Sequence, residues 1–220
     1  FEWQPLEALY GWGAHMEDYM NLRGKELYLC QHNLKAMVPV VNSTAGYGLL
    51  FDAGCAMMFK DNSEGSFVEL EAVKQIDYYF MKGRTMDAVV ANYRLLTGNS
   101  PMMPLYLFGY IQSKERYVSS DDLIHTLKEY RQRQIPIDMI VQDWNYWPQG
   151  QWGSMSMNPE FYPDKRKLAD EIHSLHAKLM ISIWPNAMNC PQQEDFKRKG
   201  LLLNGTSVYD AFNPSARELY

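Results

Sequence analysis

The chain reads as two parts of different class: a β-sandwich over residues 1–84, then alternating strands and helices with parallel strands. Three observations predict this. Short runs of strand-type residues recur between turn clusters as far as Gly83. From Thr85 the apolar period becomes helical. Beyond Pro104, apolar runs alternate with amphipathic stretches, the pattern of β-α-β units joined by right-handed crossovers.

In the first part the strand-type runs are Glu26–Cys30, Met37–Val41, Tyr47–Asp52, Phe67–Leu70 and Ile76–Met81. Turn clusters separate them: Asn42-Ser43-Thr44 with Gly46, Ala53-Gly54, Asp61-Asn62-Ser63 with Gly65, and Lys82-Gly83. Residue 1 already falls inside the pattern, so strands upstream are expected to complete the sandwich. Met86, Val89, Val90, Tyr93, Leu95 and Leu96 then follow helical spacing, and Gly98 is a stop signal. Asn99 to Pro104 is bracketed by prolines and marks the domain boundary. The expected division is therefore 1–84, a helix and linker over 85–104, and a second domain over 105–220.

The second domain is predicted to open with a strand over Tyr106–Tyr110. Ser119 or Ser120 caps the helix that follows, Asp121 and Asp122 suit its first turn, and Leu123, Leu127 and Tyr130 form its inward stripe. A second strand covers Ile137–Val141. Pro163 is read as a first-turn residue of the next helix, with Leu168, Ile172 and Leu175 facing inward. A third strand covers Leu179–Ile183. A short helix over 191–199, an extended piece over Val208–Phe212 and a helix start at Asn213-Pro214 complete the pattern. A parallel barrel needs eight strands and only three β-α units are found, so the chain is expected to be a piece of a larger one.

Bulk properties exclude several classes. Apolar content of 46% and charged content of 21% describe an ordinary globular protein large enough to bury a core. A net charge of -5 without a basic stripe gives nucleic acid no footing. No apolar run reaches the roughly 18 residues of a membrane span, and the first residues have neither the basic start nor the apolar middle of a signal peptide. Cys30, Cys55 and Cys190 are odd in number and lack CxxC spacing, which removes a disulfide scaffold or zinc ribbon as the organising principle. His173 and His176 share a helix face, but no third metal ligand accompanies them.

Chemistry concentrates past the second strand, in Gln142-Asp143-Trp144-Asn145-Tyr146-Trp147. The carboxyl ends of parallel strands are where such folds place ligand chemistry. One carboxylate among three rings suits a sugar: aromatic faces stack on the C–H face of a pyranose, and the carboxylate accepts bonds from its hydroxyls. The competing reading makes the three rings core at a barrel rim and Asp143 a cap for the next turn. An aromatic content of 14% is consistent with carbohydrate contact.

Several longer stretches resemble the glycoside hydrolases of family 31, the α-glucosidase and α-xylosidase family. They are NLRG (Asn21–Gly24), IDYYFMKG (Ile76–Gly83), YRLLTGNSPMMP (Tyr93–Pro104), GYIQSKERY (Gly109–Tyr117), IPIDMIVQDWNYWPQGQWG (Ile135–Gly153), SIWPNAM (Ser182–Met188) and YDAFNPSAREL (Tyr209–Leu219). QSKERY followed by QDWNYW is closer to the bacterial α-xylosidase type than to the mammalian α-glucosidases.

The resemblance implies a β-sandwich followed by an incomplete (β/α)8 TIM barrel holding its first three β/α units. It implies a retaining, exo-acting hydrolase that removes a terminal α-linked sugar, xylose or alternatively glucose, through a covalent glycosyl-enzyme formed on one aspartate with a second as acid/base. A non-catalytic sugar-binding homologue is the alternative from another class. No metal or cofactor is implied. The expected partners are an oligosaccharide and the remainder of the chain's own barrel. The family's WxDMNE-like nucleophile motif follows the fourth barrel strand; neither it nor the acid/base motif occurs here, so no catalytic residue is assigned and the chain alone is expected to be inactive. Asp143 matches the family's second-strand aspartate, which binds sugar hydroxyls. Trp144 beside it and Trp184 after the third strand are the expected aromatic contacts. Glu115 stands where many members carry an aromatic; it either hydrogen-bonds the sugar or pairs with Lys114 or Arg116. The compartment is left open, with a periplasmic or secreted location favoured for a bacterial glycan-degrading enzyme.

Overall fold

The computed structural model describes residues 1–220. The chain divides into two compact units, Phe1–Pro101 and Met102–Tyr220.

The first unit holds two antiparallel sheets. One has the order β1-β3-β4-β7, from Leu9–Ala14 (β1), Ala36–Ser43 (β3), Tyr47–Phe51 (β4) and Tyr78–Lys82 (β7). The other has the order β2-β5-β6, from Glu26–Leu29 (β2), Met57–Asn62 (β5) and Gly65–Leu70 (β6). Strands of both sheets feed one core, in which Leu9, Trp12, Val41, Leu49 and Phe51 from the first sheet meet Leu27, Leu29, Met57 and Phe59 from the second. This is the sandwich solution, two sheets each hiding one face. Helix α1 (Met86–Thr97) follows, capped by the Thr85 side chain and closed by Gly98 at φ 84°.

Two of these strands escape a sequence reading. The β1 segment LYGWGA carries two glycines, and its pairing with β3 shifts register between Gly11 and Gly13, a bulge that weakens the period-two signal. The β5 segment opens Met-Met, residues without strong strand preference, yet alternates buried and half-buried because the second sheet buries it centrally.

A buried carboxylate sits at the edge of this unit's core. Glu7 accepts hydrogen bonds from the hydroxyls of Ser43 and Tyr47 and from the Gln4 backbone N–H. Burial alone would push its carboxyl up, but these donors, with the Arg23 guanidinium, hold it below the ordinary value of 4.5. The Tyr47 phenol is correspondingly pushed up to about 12, by burial first and then by its bond to Glu7.

The second unit holds a three-stranded parallel sheet of order β10-β9-β8, from Ile111–Gln112 (β8), Met139–Gln142 (β9) and Lys178–Ile181 (β10). Helix α2 (Ser120–Gln132) connects β8 to β9, and α3 (Lys165–Ser174) connects β9 to β10. Their inward residues Leu123, Leu127, Leu168 and Ile172 pack with Ile137 and Ile140 in one cluster. Arg131 clasps the far end of this layer, donating to the carbonyls of Ile137, Leu175 and His176. Beyond β10, α4 (Pro191–Arg198) and α5 (Pro214–Leu219) enclose a small cluster around Phe196 and Ala216, and Asn213 caps α5 through Ser215 N–H.

The expected strand over Tyr106–Tyr110 is not formed. Leu105–Phe108 is a 3₁₀ turn, with Leu105 and Phe108 largely exposed, and extended pairing begins only at Ile111. Pro104 is extended at the start of the turn, and its carbonyl accepts from Leu107 N–H, so an apolar run without a burying partner curls instead of extending. Pro163 likewise lies before the cap of α3 and not in its first turn, because Asp164 supplies the capping oxygen to Lys167 N–H.

Candidate functional site

The site forms where β9 ends. All four residues of β9 are buried, since it is the central strand with a helix layer against it. Its last residue, Gln142, is fully buried, and the chain then leaves the sheet at Asp143. Asn145 takes the left-handed region at φ 61°, a conformation that Asn tolerates better than most residues. The turn there sends neighbouring rings to different surroundings. Tyr146 and Trp147 are both 5% exposed and belong to the core cluster, meeting edge to face at 5.2 Å. For these two rings the reading as core is correct.

Asp143 and Trp144 are half-buried. One Asp143 carboxylate oxygen, Oδ1, accepts from Trp144 N–H at 2.7 Å, while Oδ2 has no partner within the protein. The capping and ligand readings of Asp143 are therefore compatible: one oxygen holds the turn, and the other is free for a hydroxyl.

Trp184 follows β10 by three residues and is 38% exposed. Between it and Trp144 stands Trp152. Trp144 and Trp152 lie with ring centres 5.8 Å apart, and Trp152 and Trp184 5.3 Å apart, edge to face. The three indoles make a continuous partly exposed surface across the loops after β9 and β10. The Trp152 carbonyl ties the two loops together, accepting from the Met188 backbone N–H and from the Asn186 side-chain Nδ2. Gly153, at φ +77°, lets them approach, since a Cβ there would lie 2.1 Å from the Asn186 carbonyl oxygen. The Tyr220 hydroxyl donates to the Trp184 carbonyl from the other side. Sequence reading passed over Trp152; its signal is the glycine bracket Gly150…Gly153 around a lone indole.

Glu115 lies three residues past β8, exposed and free of any ion pair. Lys114 turns instead to Asp122 and stands over the Tyr117 ring. The alternative of a pair with Lys114 or Arg116 is not formed. A cavity of about 310 Å³ adjoins Trp184, lined by Tyr146, Ser154, Met157, Lys165, Ile183 and Tyr220; Asp143 does not line it.

A buried polar network underlies Asp143. Gln142 Nε2 donates to the Tyr117 and Asp143 carbonyls, both at 3.1 Å. The Tyr162 hydroxyl lies 2.9 Å from Gln142 Oε1 and 2.7 Å from the Tyr117 carbonyl. Burial pushes the Tyr162 phenol up to about 12, so it is a neutral donor throughout the physiological range.

The two units are a two-sheet sandwich and a parallel β/α unit whose strand ends carry an acid and a row of indoles, the class of α/β protein that places ligand chemistry at those ends. Comparison with known proteins narrows this. Residues 100–220 match the model of the glycosyl hydrolases family 31 TIM-barrel domain, and the chain belongs to that family of glycosidases. An α-xylosidase of Saccharolobus solfataricus is 35% identical over 230 residues, covering 100% of this chain and 32% of that protein. An uncharacterized family 31 glucosidase of Pseudescherichia vulneris is 31% identical, covering 99% of this chain and 44% of that one. Among solved structures, a GH31 α-xylosidase from a soil metagenome, complexed with xylose, superposes with a TM-score of 0.86 at 30% identity, covering 97% of this chain and 33% of that one. The fold is accordingly a β-sandwich with a TIM-barrel domain, and the chain spans only 32% to 44% of these relatives' lengths.

Proposed function

We propose that this chain is the sandwich-to-barrel portion of a retaining, exo-acting α-glycosidase that releases terminal α-linked xylose from oligosaccharides. In this reading residues 1–84 belong to the sandwich, 85–104 join the domains, and 105–220 supply the first three β/α units of a barrel that the rest of the protein completes. Asp143 accepts two hydroxyls of the non-reducing sugar. Trp144 and Trp184 flank it, and Glu115 offers a hydrogen bond where an aromatic would stack. The nucleophile and acid/base lie outside this chain, which makes it inactive alone.

The observation that carries the reading is the free Oδ2 of Asp143, at the end of the central strand and one residue before Trp144, the first indole of the row. A carboxylate held by the scaffold loses little freedom when it binds, and the indoles give a pyranose an apolar face to rest on. The α-xylosidases among the relatives support xylose. The glucosidase relative supports an α-glucosidase as the second reading; the difference is one hydroxymethyl group, worth about 1–3 kcal/mol in an apolar pocket.

The test is p-nitrophenol release from paired aryl α-xyloside and α-glucoside. The 220-residue chain at high concentration should give none, and a longer protein containing it should turn over the xyloside faster. Turnover by the chain alone would overturn the assignment of the catalytic acids elsewhere, and faster glucoside release would favour the second reading. In the longer protein Asp143→Ala should lower kcat/KM by about a hundredfold or more, the scale of lost charged hydrogen bonds. A near-unchanged rate would remove Asp143 from the site.

A further inference from the structure

We propose that Gln142, held by Tyr162, is a positioning residue that fixes the direction of the Asp143 carboxylate, and that it couples the loop after β8 to the loop after β9. The inference rests on the reading of Asp143 as a sugar-binding group and adds to it two residues that never touch the sugar.

Hydrogen-bond counting gives the reason. A glutamine amide has two N–H donors and one carbonyl acceptor. Here both donors are spent, on the carbonyls of Tyr117 and Asp143, and the acceptor faces the Tyr162 hydroxyl. Rotating the amide by half a turn would set its oxygen against two carbonyl oxygens in a fully buried site. The orientation is thus unique, and Tyr162 selects it, because a phenol with a neutral, buried hydroxyl supplies a proton to Oε1 or to the Tyr117 carbonyl beside it.

The network acts on Asp143 through its main chain. Gln142 Nε2 holds the Asp143 carbonyl, the Trp144 N–H holds Oδ1, and the Gln142 carbonyl accepts from Ser182 N–H on the neighbouring strand's extension. With carbonyl and Oδ1 both anchored, little rotation is left to Oδ2. The same amide reaches the Tyr117 carbonyl, two residues beyond Glu115, so both loops lean on one side chain. Gln142 and Tyr162 are 20 residues apart in sequence and both almost wholly buried. A core assembled for stability alone would be served by apolar residues at these places. The polar pair instead offers a single arrangement.

The test uses Tyr162→Phe, which removes one oxygen and keeps the ring, and Gln142→Leu as a second variant. Hydrogen exchange of individual amides is followed in the 220-residue chain. In Tyr162→Phe the Trp144 amide, which is bonded to Asp143 Oδ1, should exchange about tenfold faster, the effect of weakening one buried hydrogen bond. The amides of Ile140 and Val141 should keep their protection. Uniform acceleration across β9 would mean a purely structural role and would overturn the proposal, as would no change at Trp144. In a longer, active protein, Tyr162→Phe should lower kcat/KM for the xyloside severalfold, and it should have no further effect once Asp143 is Ala. If Asp143→Ala alone leaves the rate intact, the sugar-binding reading fails. If Asp143→Ala is damaging while Tyr162→Phe is silent in both assays, only the positioning role fails.

Discussion

Replacing Gly153 by alanine tests whether the indole surface is held by the contact between two loops. Gly150 and Gly153 both have left-handed backbones, at φ +76° and +77°, but only Gly153 is crowded. An alanine Cβ at Gly150 meets nothing within 4 Å, whereas at Gly153 it would lie 2.1 Å from the Asn186 carbonyl oxygen and 2.5 Å from Asn186 Oδ1. Left-handed backbone costs a residue with a Cβ about 1–2 kcal/mol. Gly153→Ala adds an overlap with main-chain atoms, which cannot rotate aside, for about 1–3 kcal/mol more. The pair should therefore differ: about 1 kcal/mol for Gly150→Ala against about 3 for Gly153→Ala. At roughly 3–5 °C per kcal/mol in a unit of this size, the second should lower Tm by about 10 °C. Near-ultraviolet circular dichroism is the suitable assay, since separating Trp152 from Trp184 also removes a coupled indole signal. Equal losses in the two variants would refute the claim that the loops are braced at Asn186.

Three further outcomes are expected. Glu7 is depressed in the folded state, so its contribution is complete above the ordinary carboxylate range and is lost as pH falls through the folded value; Glu7→Gln should flatten the acid side of the first unit's stability-against-pH curve in calorimetry. Ile172→Ala, at a fully buried position between α3 and the sheet, should cost about 2–5 kcal/mol in urea unfolding. Arg131→Met removes the donor to three carbonyls while keeping the aliphatic stem, and should cost about 2–3 kcal/mol by the same measurement.

Sequence alone showed much of the architecture, for identifiable reasons. Period placed α1, α2, α3, α4 and α5 within a few residues, and Ser119 and Asn213 make the capping bonds their positions suggested, whereas α3 is capped by Asp164 just after the proline read as its first turn. The strands at β9 and β10 stood out as short apolar runs. Strands defined by partners, such as β1 and β5, were hidden, and Tyr106–Tyr110 misled because residue preference for strands is settled by burial. At the candidate site, the position of Asp143 just past β9 was legible from the apolar run before it. The fate of the aromatics beside it was not: Tyr146 and Trp147 went inward across a left-handed Asn145, and Trp152 came in from a glycine-bracketed loop. The Gln142–Tyr162 pair left no trace in the sequence, because nothing in either neighbourhood records a partner across the fold.

Burial of Tyr146 and Trp147 inside the segment that also displays Asp143 and Trp144 bears on how such a protein can change over generations. Most substitutions that reshape this loop also disturb the core, so change by this route is filtered first by folding. Glu115 is under no such constraint, being exposed and unpaired. Accepted variation should therefore gather at the exposed positions Ser113 to Glu115 and leave the segment after β9 nearly fixed.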